Sequence, residues 1–185
     1  MSFDKELHKA EKRITDLAKK AGDHPAITLN ETAFVAREQA VDKIAEQVML
    51  DKRYIRENLT VVTASKDELG WKSEIRARRR GVLLTRFGHK AVFGPRASGD
   101  GTKQVGIEGQ IKPQKSFRAN FFYIRLKGGA TGIAKRAKPT GRENYRVLHG
   151  PSVSQVFDTV REDISDTVRK ELEASLMKQL EKLYG

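Results

Sequence analysis

Apolar residues recur at steps of three and four near both ends of this chain and at steps of two through its middle. Phe3, Leu7, Ala10, Ile14, Leu17 and Ala21 share one face of a helix predicted over residues 2–21. Lys5, Glu6, Lys9, Lys12, Arg13, Asp16 and Lys20 fill the opposite face, and Gly22 follows where a helix ending needs positive φ. Asp23 is the candidate cap of a second helix, and Pro25 sits in its first turn, where a missing N–H costs nothing. That helix is predicted from about Pro25 to Leu50, with Ile27, Phe34, Ala40, Val41, Ile44, Ala45, Val48 and Met49 on a broad apolar face. Asp51 can cap a short third helix, Lys52 to Asn58.

The pattern then changes to that of strands. Leu59–Ala64 is β-branched, Trp71–Arg79 alternates loosely, and Val82–Phe87 is an apolar run bounded by Gly81 and Gly88. Residues 94–104 are rich in glycine and polar side chains and read as a loop. Val105, Ile107, Gly109 and Ile111 alternate with polar or small neighbours in a half-buried strand that Pro113 ends. Phe117–Lys127 reads as one strand, Gly128-Gly129 as a turn, Gly132–Lys138 as its partner, and Tyr145–Leu148 as a short extended piece.

After Pro151 the helical period returns. Val153, Val156, Phe157, Val160, Ile164, Val168, Leu172, Leu176, Leu180 and Leu183 form one stripe, with Ser152 or Ser154 as the cap. A helix longer than about 25 residues reaches past one core or pairs with another helix. Helices segregated from antiparallel strands give an α+β class: N-terminal helices, a central antiparallel twisted sheet and a long C-terminal helix. We read residues 1–185 as a single domain, with N-terminal helices in 1–50, a strand-rich core in 59–149 and the long helix in 151–184.

Charge sharpens this plan. Between Lys72 and Arg146 stand 19 Lys/Arg and 4 Asp/Glu of the chain's 36 and 24, which leaves 17 and 20 elsewhere. The whole net charge of +12 therefore originates in the middle block, with the tract Arg76-Ala77-Arg78-Arg79-Arg80 near its start. Such a block points to a polyanion: nucleic acid first, an acidic protein surface second, anionic lipid third. The alternative is a solvated sheet face whose charge serves solubility. The apolar fraction, 38%, is low and the charged fraction, 32%, is high, which suits a chain that shares surface with copies of itself or with an assembly.

Other chemistries find little support. Cysteine is absent, which excludes disulfides, zinc–thiolate sites and a cysteine nucleophile. No cofactor or metal is expected. The beginning, MSFDKELHKAEKR, lacks the apolar stretch of a secretory signal, and no run approaches the roughly 18 apolar residues of a membrane span, so no membrane partner is expected. His8, His24, His89 and His149 are scattered, and the carboxylates of Glu162/Asp166 and Glu171/Glu173 lie on a helix surface beside Arg161, Arg169 and Lys170, as solvated pairs do. We expect no enzyme; a nuclease would need more acids than the middle block holds. No helix-turn-helix, zinc-finger or RNP-type motif appears, and Phe117, Phe121, Phe122 and Tyr123 read as core.

Several segments, in order, resemble one family. Ala26-Ile27-Thr28-Leu29-Asn30-Glu31-Thr32-Ala33 lies in the second helix, Lys52-Arg53-Tyr54-Ile55-Arg56-Glu57 precedes the strands, Ile75–Arg80 is arginine-rich, and Val147-Leu148-His149-Gly150-Pro151-Ser152-Val153 leads into the long helix. These are similar to the minor tail protein Z family of lambdoid and related tailed phages, also called tail completion proteins. Where that family has a Pro-Gly-Ala-Phe type of segment, this chain reads Phe117-Arg118-Ala119-Asn120-Phe121. The resemblance implies a non-enzymatic virion protein, assembled in the host cytoplasm, at the tail end or neck. It further implies a ring of copies around the DNA channel that supports head–tail joining beside other tail-end and connector proteins. A stand-alone, sequence-independent nucleic-acid-binding protein is the alternative.

The candidate surface for DNA or an acidic partner is Arg76, Arg78, Arg79 and Arg80, with Lys135, Arg136 and Lys138. Gly150, Pro151, Val156 and Phe157 are the candidates for subunit contact. Packaged double-stranded DNA, met without sequence specificity, is the candidate polyanion.

Overall fold

Three helix starts follow from local chemistry. In the computed structural model, which describes residues 24–67, 70–96, 98–113, 115–136 and 144–184, helix α1 spans His24–Gln47 and places Pro25 in its first turn. Helix α2 spans Lys52–Glu57, and the Asp51 carboxylate accepts from the Tyr54 N–H at 3.1 Å. Helix α3 spans Val153–Tyr184 and opens on a reciprocal cap. The Gln155 N–H donates to the Ser152 hydroxyl, and the Ser152 N–H donates to the Gln155 side-chain carbonyl. The helix predicted over residues 2–21 and its Gly22 and Asp23 boundary lie outside the described residues.

Between these helices run β1 (Leu59–Asp67), β2 (Gly70–Ala77), β3 (Val82–Leu83), a 3-10 turn (Leu84–Arg86), β4 (Gly88–Pro95), β5 (Thr102–Lys112), β6 (Lys115–Ala119), β7 (Phe122–Arg125), β8 (Thr131–Arg136), β9 (Tyr145–Val147) and β10 (His149–Gly150). The α+β class and the long closing helix match the expectation. The described strands pair in four small antiparallel sheets rather than one: β1-β2, β3-β10, β4-β5-β6 and β7-β8-β9.

Four segments differ from the sequence reading. The single strand expected over 117–127 is two, in different sheets: the Phe121 N–H donates to the Ala119 carbonyl at 2.7 Å, a three-residue turn that redirects the chain at Asn120. The run 82–87 is a strand only at Val82–Leu83 and continues as a 3-10 turn, because Leu84 and Phe87, three apart, are both buried and the Phe87 N–H closes onto Leu84. The loop expected over 94–104 is shorter, since the β4-β5 ladder continues to the Pro95/Thr102 pair and turns through Gly99 and Gly101 at positive φ. Helix α1 stops at Gln47 rather than Leu50, and the Met49 N–H pairs instead with the Ile111 carbonyl at the end of β5.

The chain divides into two compact units. One comprises Met1–Arg37, Val61–Arg76 and Asp163–Gly185. Its buried positions include small and polar side chains: Thr28, Thr32, Ala33 and Ala36 on α1, and Ser175 and Gln179 on α3. Glu31 accepts from the Ser175 hydroxyl at 2.8 Å, and the Asn30 side-chain carbonyl accepts from the Ala64 N–H at 2.6 Å. Leu176 and Leu180, expected in the apolar stripe of α3, are exposed instead. Each four-residue step from Ile164 turns about 40° further round a helix of 3.6 residues per turn. By Leu176 the stripe has turned off the covered face, and Ser175 and Gln179 take the buried places.

The other unit comprises Glu38–Thr60 and Ala77–Glu162. Its core is apolar: Ala40, Val41, Ile44, Ile55, Leu59, Val82, Phe87, Ile107, Ile133, Val153, Val156 and Val160 are all buried. Backbone bonds stitch its sheets together. The Leu148 N–H donates to the Ile133 carbonyl, and the Leu84 N–H donates to the Leu148 carbonyl. A Cβ on Gly150 would lie 2.6 Å from the Phe87 ring, so a side chain there would displace the ring or the strand.

Candidate polyanion interface

The second unit carries the concentration of basic side chains. Immediately after β2, the backbone of Arg78 is held on both sides: its N–H donates to the Asn58 carbonyl at 3.0 Å, and its carbonyl accepts from the Ser154 N–H at 3.2 Å. Its guanidinium also reaches the Asn58 side-chain carbonyl at 3.4 Å. The Asn58 amide donates to the Tyr54 carbonyl, so the buried asparagine joins α2 to the arginine segment. Arg78 and Arg80 line one cavity, and Arg79, between them, is not part of it.

That cavity encloses about 580 Å³. Arg86, from the 3-10 turn, lies over the Tyr54 ring, 5.2 Å from its centroid, and Lys127 comes from the β7-β8 turn. Gly129 at positive φ makes that turn, which the Leu126/Ala130 backbone bond closes. The Thr85 hydroxyl donates to the Thr131 carbonyl and fixes the 3-10 turn to the start of β8. Leu83, Leu126 and Val147 provide apolar lining.

A second cavity, about 810 Å³, shares Val147 and His149 with the first and is lined by Lys135, Arg136 and Arg146. Arg136 lies over the Phe122 ring, 5.3 Å from its centroid, and Phe122 meets Tyr145 edge-on. In the β8-β9 ladder Lys135 stands directly opposite Arg146. Like charges at opposed positions weaken a sheet unless an anion sits between them. Seven Lys/Arg and one histidine line the two cavities, and among the described residues neither contains an Asp or Glu. The smaller cavity at Gly88–Lys90, about 260 Å³, is different, since Lys90 there faces Glu108 at 3.6 Å.

The seven basic residues expected at the interface separate as follows. Arg78, Arg80, Lys135 and Arg136 line the adjoining cavities, and Arg79 is exposed but outside them. Arg76 belongs to the first unit and pairs with Glu74 at 3.3 Å, which holds the glutamate below the usual carboxylate range. Lys138 lies outside the described residues. Arg86, Lys127, Arg146 and His149 were not anticipated. Alternation at 78/80 and pairing of the strands on either side of 137–144 are the signals that could have found part of the set. Of the positions expected at a subunit contact, Gly150 packs on Phe87 and Val156 is buried in its own unit, while Pro151 and Phe157 are half-buried.

Among the described residues no group of His, Asp and Glu could hold a metal ion, and no helix is long and apolar enough to cross a membrane. No curated protein and no solved structure matches the chain. The family model described as prophage minor tail protein Z matches residues 5–184, so this chain, with its acid-free basic cavities, belongs to the prophage minor tail protein Z family and is a structural protein of the phage tail.

Proposed function

We propose that the protein completes the head-proximal end of the tail as a closed ring of copies around the DNA channel, and that this ring supports joining of the tail to the filled head. The observation that carries the reading is the segregation of charge in a tail protein: seven Lys/Arg line adjoining cavities free of carboxylates. A ring repeats such a surface by rotation and adds many weak anion contacts together. Neighbouring copies would meet at the start of α3, where Pro151 and Phe157 are half-buried, and connector or tail-end proteins would pack above and below. The protein acts in this reading by docking and charge, without catalysis.

The test is a phage lacking the protein. It should make heads and tails that fail to join productively, and added purified protein should restore infectious particles. Normal particles without the protein would refute the reading.

A further inference from the structure

We infer that the two adjoining cavities form one track for successive phosphates of duplex DNA, bound without regard to sequence. This deepens the proposed function, since it names what the basic surface meets.

Four observations point to phosphate. The lining is cationic and lacks carboxylates: Arg78, Arg80, Arg86 and Lys127 on one side of Val147 and His149, Lys135, Arg136 and Arg146 on the other. Three of the guanidinium groups are already oriented, Arg78 by Asn58, Arg86 by the Tyr54 ring and Arg136 by the Phe122 ring. A pre-oriented planar fork loses less freedom on meeting a phosphate. Lys135 and Arg146, opposed in the ladder, gain most from an anion placed between them. Among the described residues all the basic side chains of the track come from strands, turns and loops, and its one helical contributor is Tyr54 on the six-residue α2, so the contacts position the backbone rather than read bases.

The same features separate the candidate anions. A protein partner's interface core is enriched in aromatic anchors and arginine and depleted of lysine and of charge; the five arginines of this track suit either partner, whereas the exposed Lys127 and Lys135 and the uniform positive charge suit phosphates. Single-stranded DNA calls for aromatic rings on which bases stack. Of the rings adjoining the basic side chains, Tyr54 and Phe122 each already carry a guanidinium, and Tyr145, opposite Arg136, meets Phe122 edge-on. Duplex DNA needs only the phosphates.

The experiment uses the full-length protein and a fluorescent mixed-sequence duplex of about 30 base pairs, with anisotropy read from 50 to 200 mM salt. If about five phosphates are neutralised, log K falls with log salt at a slope of about −4.5, roughly a 500-fold loss over that range. Arg80→Ala, Lys127→Ala, Lys135→Ala and Arg146→Ala, all at exposed positions, should each flatten the slope by about 1. Arg53→Ala, at an exposed arginine paired with Glu57 on α2, removes the same charge elsewhere and should leave the slope unchanged. Circular dichroism of each variant confirms that it is folded. A flat wild-type slope, equal losses from Arg53→Ala and the track variants, stronger binding to single strands, or displacement by polyglutamate at matched charge as effective as by duplex would each overturn the inference. The proposed function is read on particles and fails separately: a protein missing from virions would refute it and leave the slope intact.

Discussion

Gly150→Ala tests whether the approach of β10 to Phe87 holds the second unit together. The added methyl would lie 2.6 and 2.7 Å from two ring carbons of Phe87, and 3.5 Å from Leu84. Carbon contacts are most favourable at about 3.5–4.0 Å, so the ring or the strand must shift by close to 1 Å. The ring has little freedom to do so, being 3% exposed and fixed at the end of the 3-10 turn. Overpacking of this kind costs about 1–3 kcal/mol. Alanine recovers about 0.4–1 kcal/mol by restricting the unfolded chain, which leaves a net loss of about 1–2 kcal/mol. Urea unfolding followed by far-UV circular dichroism should show the midpoint fall at unchanged slope. Phe87→Leu removes the offending ring atoms, so the double variant should be more stable than the sum of the single losses by on the order of 1 kcal/mol. A neutral Gly150→Ala, or strict additivity, would refute the packing argument.

Three further outcomes follow from the fold. Ser152→Ala removes one half of the reciprocal cap of α3 and should cost about 1 kcal/mol in thermal or urea unfolding; no loss would mean the cap contributes nothing. Ile133→Ala opens a cavity at a fully buried position of β8 and should cost about 2–5 kcal/mol, where a loss below 1 kcal/mol would place Ile133 outside the core. The hydrogen bond and charge of Arg76 hold the Glu74 carboxyl below its ordinary range, helped by Lys72 and opposed by desolvation. Its native value lies below the unfolded one, so the pair contributes above the ordinary carboxylate range and the contribution is lost as pH falls through the native value. An NMR titration should place the Glu74 midpoint below that of an unperturbed glutamate and Arg76→Ala should raise it; a midpoint unmoved by Arg76→Ala would contradict the pairing.

The starts of α2 and α3 were legible because their causes are local. Asp51 and Ser152 bond to backbone N–H groups three residues ahead, and a short window of sequence contains both partners. The division of 117–127 into β6 and β7 was hidden because a single three-residue turn at Asn120 interrupts an otherwise continuous strand composition. The apolar stripe of α3 misled beyond Ile164 because four-residue spacing mimics a fixed face while rotating away from it. At the candidate site the sequence showed the charge block without its sorting. Arg78 and Arg80 line the cavity and Arg79 does not, and Arg86, Lys127 and Arg146 join them only through tertiary folding of segments distant in sequence. The tract Arg76–Arg80 was therefore visible as charge and not as a surface.

The most direct measurement is an image of intact particles, with the protein located by a bound antibody fragment and its copies counted. The account predicts a closed ring at the junction of tail and head, with the Arg80 and Lys135 side facing the DNA. Particles in which the protein is absent, or lies elsewhere along the tail, would contradict it.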